Sequence, residues 1–152
     1  MNKPFCKKSY DENNENGIKT SMSMLNQFGY KTIDTTEAYS DRDYIVEKKG
    51  IAYKIEAEMS HSWTTLDDIP GNWWYVSVPY RKRHSGADLF ILVNHSMTAL
   101  AVARMSEVKK SEVKEKFVFS TKMNEAFFNV PLTSFNVYFL KDGIWTKKIR
   151  GL

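Results

Sequence analysis

Between Arg42 and Glu58 the chain sets Tyr, Ile and Val in near alternation with charged residues, interrupted only at Lys49-Gly50. A two-residue side-chain period belongs to a strand with one buried face, and a break ending in glycine signals a tight antiparallel turn. The segments Arg42 to Lys48 and Ile51 to Glu58 therefore predict a β-hairpin whose register follows from its turn. With Lys49 and Gly50 as a two-residue loop, Lys48 faces Ile51, Asp43 faces Glu56 and Asp41 faces Glu58. Tyr44 and Val46 then join Ile51, Tyr53, Ile55 and Ala57 on one face, while the four carboxylates share the other. A four-residue loop would slide the pairing by two and keep the same faces. The hairpin thus demands an apolar cover on one side and leaves an acidic surface on the other.

A cover is available just upstream. Ile18, Met22, Leu25 and Phe28 recur at spacings of four and three, the stripe of an amphipathic helix, and Gly29 follows as its C-cap. The polar stretch Asp11 to Asn16 reads as a loop or as the start of that helix. Downstream, Ser60 to Gly71 reads as a loop with at most one helical turn. Strands are predicted at Trp73 to Pro79, Leu89 to Asn94 and Thr98 to Met105, the last two joined by a turn at Asn94-His95-Ser96. Ser106 to Lys116 is charged and reads as a short helix or a loop. The remainder reads as further short strands, including Phe117 to Ser120, Val137 to Leu140 and Trp145 to Ile149, the last two flanking an Asp142-Gly143 turn. Phe127, Phe128, Phe135, Tyr138 and Phe139 are expected to complete the core or an interface. One helix followed by many strands predicts an α+β fold on a mixed or antiparallel sheet, and 152 residues is the size of one domain, residues 1–152.

Composition removes several function classes. Aromatic residues make up 14% of the chain, too many for a disordered polymer. The single Cys6 makes neither an internal disulfide nor a Cys-based zinc site, and three scattered His residues do not compensate. No apolar run approaches the roughly 18 to 20 residues that span a bilayer, and no apolar segment follows the N-terminal lysines. The chain reads as soluble and cytoplasmic, without a membrane partner. It contains no Gly-rich phosphate loop and no Ser or Cys triad spacing, so no motif points to small-molecule chemistry. The net charge of +4 is the difference between 22 basic and 18 acidic residues, and their placement is more informative than the excess. Acids dominate from Asp34 to Asp68, whereas Arg81, Lys82, Arg83 and His84 form one compact basic run.

The acidic hairpin face has a chemical reading. Like charges set across a strand pair repel, at roughly 0.2 to 1 kcal/mol per pair. A hard divalent cation, Mg²⁺ or Mn²⁺, converts that repulsion into binding, since it is held by one or two carboxylates together with waters and phosphate oxygens. Lys54 alternates onto the face of Glu56 and adds a cation suited to a nucleophile or a charged transition state.

An amphipathic helix ending in Gly29-Tyr30, then Ser40-Asp41-Arg42-Asp43-Tyr44-Ile45-Val46, a turn, and Tyr53-Lys54-Ile55-Glu56-Ala57-Glu58 resembles the core of the PD-(D/E)XK nuclease superfamily. The similarity is greatest to its Holliday-junction-resolvase-like and its phage or restriction-type members. It spans roughly Ile18 to Glu58 and implies a restriction-endonuclease-like core: the N-terminal helix, a central mixed sheet and additional C-terminal strands. It implies metal ligation by Asp43 and Glu56. The third motif position, usually Lys, is Glu58 here. That departure leaves Glu58 as an additional ligand or a base, with Lys54 or Lys82 in the lysine's place, or else marks a relative without catalysis.

The activity implied is Mg²⁺- or Mn²⁺-dependent hydrolysis of DNA phosphodiester bonds, with Asp43, Glu56, Glu58 and Lys54 in the catalytic set. Arg81, Lys82 and Arg83 follow Trp73, Trp74 and Tyr75, a pairing of phosphate clamp and base-stacking aromatics. A homodimer is expected if both strands of a duplex are cut. The alternative is a nuclease-like module that binds nucleic acid or protein without catalysis. Plainer roles suit the remaining candidates: Asp41 as a strand-start residue, Glu15 as a helix-dipole partner, His61, His84 and His95 as loop histidines, and Cys6 as a free thiol. Glu37 is a further conceivable ligand from the preceding segment.

Overall fold

The computed structural model describes residues 7–149 except 37, 39 and 40, and side chains from Asn14 onward. Cys6 and Glu37 lie outside the described residues. The first element is a helix, α1 (Lys7–Gln27), longer than its apolar stripe predicts because the polar stretch 11–16 is helical too. Its buried line is Gly17, Ser21, Met24 and Leu25, with Ile18 and Met22 half-buried and Phe28 at the exposed margin. Small residues bring the helix backbone close to the sheet: a Cβ on Gly17 would sit 3.6 Å from the Met59 amide nitrogen. Ser21 Oγ shares a 2.6 Å hydrogen bond with the buried Tyr44 hydroxyl. The helix ends in a Schellman arrangement, with Tyr30 N–H donating to Leu25 O and Gly29 N–H to Asn26 O, and Gly29 at φ +90°.

Among the described residues ten strands follow: β1 (Lys31–Asp34), β2 (Tyr44–Lys48), β3 (Ile51–Met59), β4 (Tyr75–Pro79), β5 (Leu89–Val93), β6 (Ala99–Arg104), β7 (Glu112–Val118), β8 (Met123–Pro131), β9 (Asn136–Lys141) and β10 (Ile144–Lys147). A short helix, α2 (Met105–Lys109), separates β6 from β7, and a 3₁₀ turn (Tyr80–His84) follows β4. Seven strands form one sheet in the order β1-β2-β3-β5-β6-β9-β10, and three form a second in the order β4-β8-β7. These strands pair antiparallel except β3 with β5, which is parallel. The fold is mixed α+β, with one N-terminal helix and mostly strands.

The hairpin register is the expected one from Lys48↔Ile51 to Tyr44↔Ile55, closed by positive φ at both Lys49 and Gly50, the two-residue turn that matches strand twist. Asp142 and Gly143 repeat that geometry between β9 and β10. Three expectations change. The 106–116 segment is a short helix followed by most of a strand; β1 is a strand where none was predicted; and the hairpin pairing stops at Tyr44. Asp43 N–H donates to Ile55 O, the residue Tyr44 already faces, so the chain leaves register there, and neither Asp43 with Glu56 nor Asp41 with Glu58 forms the expected opposed pair.

Two cores result. One holds α1 against the sheet: Met24 and Leu25 meet Tyr44, Val46, Ile55, Ala57, Ile91 and Val93. The other fills the space between the sheets, joining Phe90, Leu92 and Ala99, Ala101 and Ala103 to Val76, Val78, Phe128 and Val130, with Trp63 fully buried among them. Leu89–Val93 is apolar throughout because a central strand is covered on both faces. At the far edge, the Gln27 side-chain amide donates to Trp145 O and accepts from Trp145 N–H, both at 2.6 Å. No helix among the described residues is long and apolar enough to cross a membrane.

Candidate active site

The acidic face of β3 looks toward the second sheet. Glu56 and Glu58 alternate with the buried Ile55, Ala57 and Met59 and stand beside Phe90 and Leu92 of β5, which face the inter-sheet core. Around them the chain gathers charge by three routes.

The first is the exit of β2 from the sheet. Past Tyr44 the β3 backbone loses its β2 partner while keeping β5 on its other side, and Asp43 Oδ2 accepts the Ala57 N–H at 2.9 Å in the place of β2. Asp43 thereby reaches the segment of β3 that bears Glu56 and Glu58. The second is the 3₁₀ turn after β4. It carries the basic run over the sheet and sets Lys82 Nζ 2.6 Å from Glu56 Oε1, both side chains being 16% exposed. The other Glu56 oxygen, Oε2, is buried and has no hydrogen-bond partner among the described residues. Arg83 folds back to cover the Tyr80 ring at 4.2 Å, while Arg81 and His84 are exposed.

The third route is a neighbouring ionic cluster. Lys54 Nζ binds Asp41 Oδ1 at 3.1 Å, Arg42 binds Asp41 at 2.8 Å, and Arg42 also reaches Asp34 at 3.2 Å. Hydrogen bonds from Arg42 and then Lys54 hold the Asp41 carboxyl below its ordinary value, and the Thr36 amide does the same for Asp34. Gly86 permits this arrangement, because a Cβ there would lie 1.9 Å from Asp41 Oδ1. The β3 backbone at Lys54 is pinned by Asp88, whose Oδ2 accepts the Lys54 N–H at 2.8 Å and whose own N–H donates to Lys54 O.

Of the predicted residues, then, Glu56 and Lys82 are in contact and Asp43 braces the same strand. Lys54 turns to Asp41, so the lysine that meets Glu56 is Lys82. Glu58, half-buried, lines a cleft of about 830 Å³ between the end of β3 and the second sheet. Glu15 lies on the exposed side of α1, paired with Lys19 at 2.7 Å. His61 and His95 stand ring to ring at 5.7 Å, both exposed. Among the described residues no three His, Cys, Asp or Glu side chains form a metal cage. A hard cation needs fewer: one or two carboxylates suffice when waters and phosphate oxygens complete the shell. The buried Glu56 Oε2, without a partner among the described residues, has the chemistry of such a donor, and Asp43 is the other carboxylate that reaches this part of β3.

Sequence reasoning missed Asp88 and Gly86, which orient the site without any motif signal of their own. No protein-family model, curated protein sequence or solved structure matches this chain.

Proposed function

We propose that this chain is a metal-dependent nuclease of the PD-(D/E)XK type that hydrolyses DNA phosphodiester bonds. The observation that carries the reading is Glu56, a half-buried carboxylate with one oxygen held by Lys82 and the other buried and unpartnered. A buried polar atom without a partner is uncommon and needs a reason, and an acceptor aimed at a cation supplies one. Asp43 and Glu56 would hold Mg²⁺ or Mn²⁺, with Glu58 as a further ligand. The bound ion would supply Lewis acidity toward phosphate and a lowered pKa for its water.

The chain's own residues do the rest. Lys82 neutralises charge beside Glu56 and would take the role of the superfamily's lysine from the 3₁₀ turn instead of from β3. Arg81 on that turn offers an exposed guanidinium fork to phosphate, and Arg83 would join it by swinging off the Tyr80 ring. Burial of the Lys82–Glu56 pair at 16% exposure lowers the local dielectric, so these charges act more strongly than they would in open solvent.

Asp43→Ala and Glu56→Ala should each abolish Mg²⁺-dependent cleavage of duplex, branched or single-stranded DNA while far-UV circular dichroism stays that of the wild type. Mg²⁺ should raise the wild-type melting temperature through mass action and leave that of Glu56→Ala unmoved. Full cleavage by both variants would overturn the assignment. The Lys82–Glu56 ion pair also favours a second reading, in which an ammonium has permanently replaced the metal and the protein binds nucleic acid without cutting it. Salt-sensitive DNA binding with no cleavage in Mg²⁺ or Mn²⁺ would select that alternative.

A further inference from the structure

The cleft that Glu58 lines borders the chemistry proposed above, and its aromatic and basic walls have no part in it. It is walled by Glu58 and His61 on the β3 side, by Trp73, Trp74 and Tyr75 leading into β4, and by Lys116 of β7. The aromatic wall is open to solvent: Trp74 is 83% exposed and Tyr75 49%. Trp73 differs, being half-buried against the inter-sheet core, which anchors the wall. Lys116 is held in place by Ser77 Oγ and lies 5.9 Å from the centre of the Phe127 ring. A single exposed Trp needs no explanation, but Trp74 and Tyr75 both lining a cleft that also holds a lysine form a surface suited to a flat aromatic ligand that carries negative charge.

We propose that this cleft receives an unpaired nucleotide, so that the substrate class is DNA with a single-stranded segment. The proposal rests on the nuclease reading, because Glu58 lies two residues beyond Glu56 on the same face of β3, on the order of 7 Å along the strand. An occupant of the cleft is therefore continuous with a phosphate at Glu56 and Lys82. The aromatic wall decides between duplex and single strand. Paired bases have both faces covered by their neighbours, whereas an unpaired base has a face to offer Trp74. A volume of about 830 Å³ accommodates a small ligand or a nucleotide, not the breadth of a double helix. Charge orients the occupant: Glu58 repels phosphate from the inner end and accepts hydrogen bonds from base amino groups, while Lys116 attracts phosphate at the outer wall. Every base has a π-face, so the cleft selects strandedness and not sequence.

The test is quenching of intrinsic tryptophan fluorescence by a short oligothymidylate, in chelator so that nothing is cleaved, with a duplex of equal length for comparison. The wild type should be quenched and should bind the single strand. Trp74→Ala should weaken that binding by roughly tenfold or more, and Tyr75→Ala by a smaller factor in the same direction, while duplex affinity changes by less than about twofold. Single-strand affinity unchanged in both variants, or lost equally for both DNA forms, would overturn the proposal. If Glu56→Ala abolishes cleavage while Trp74→Ala leaves single-strand binding intact, the cleft assignment fails and the nuclease reading stands. If the wild type neither binds nor cleaves any DNA, both fail together.

Discussion

Tyr44 joins the two sides of the molecule at the scale of a single residue. Its hydroxyl meets Ser21 of α1, and its backbone is the last of β2 to keep register before Asp43 departs toward the site. Burial first, and the nearby Asp43 charge in addition, push the phenol above its ordinary value of 10.0, with the Ser21 hydrogen bond pulling partly back. A raised folded-state value means that the neutral phenol is favoured in the native protein. Its contribution to stability is intact below pH 10.0 and is lost as pH rises beyond it. Tyr44→Phe should remove about 0.5–1.5 kcal/mol at neutral pH through the missing hydrogen bond, and its stability should then fall less steeply than that of the wild type at alkaline pH. Urea unfolding at neutral and alkaline pH measures both effects. That Asp43 and Glu56 belong to one hairpin is legible in the sequence, but the way Asp43 meets β3, through the Ala57 N–H instead of opposite Glu56, is not. The position of Asp41 is not legible either, since nothing in its type or spacing marks the residue where pairing stops. Nor is the Lys82 contact, which spans 26 residues of mostly irregular chain.

At the scale of elements, α1 is seated by what its residues lack. The apolar spacing of Ile18, Met22, Leu25 and Phe28 marks a helix correctly but places its buried line about one residue off, because periodicity counts large apolar side chains and ignores glycine and serine. Gly17 and Ser21 occupy the closest approach to β3. Gly17→Ala places its new carbon 3.6 Å from the Met59 amide nitrogen, an ordinary contact, and gains up to about 1 kcal/mol of helix propensity. Gly17→Leu has no such room and should cost about 1–3 kcal/mol through overpacking. Thermal melts of the two variants should therefore move in opposite directions or, at the least, separate widely. β1, which no pattern announces, and β7, of which only the end is legible, have a different cause. β7 is exposed on both faces for most of its length, so its sequence Glu112–Val118 carries no apolar alternation to read. β1 is four residues long and sits at a sheet edge, where little burial is needed to hold it.

For the whole molecule, the two cores share the central sheet, and Trp63 is the largest side chain wholly inside the inter-sheet core. It belongs to no strand. Ser60 Oγ accepts its backbone N–H at 3.1 Å, and its indole N–H donates to Leu66 O at 2.8 Å, so an irregular loop buries a tryptophan with its polar groups satisfied. Trp63→Ala should cost about 3–5 kcal/mol, read as a lower denaturation midpoint. The α+β class follows from one helical period ahead of many strand-like runs. The division into two sheets does not, because it depends on which of several short strands pair across long separations. The larger sheet ends at β10, whose outward peptide groups would ordinarily invite a strand from another molecule. The Gln27 amide, offering one donor and one acceptor to Trp145, takes the position that a foreign peptide group would fill. Edge-to-edge association through β10 must therefore first prise the last turn of α1 away, and the helix that covers the core also guards the margin of the sheet.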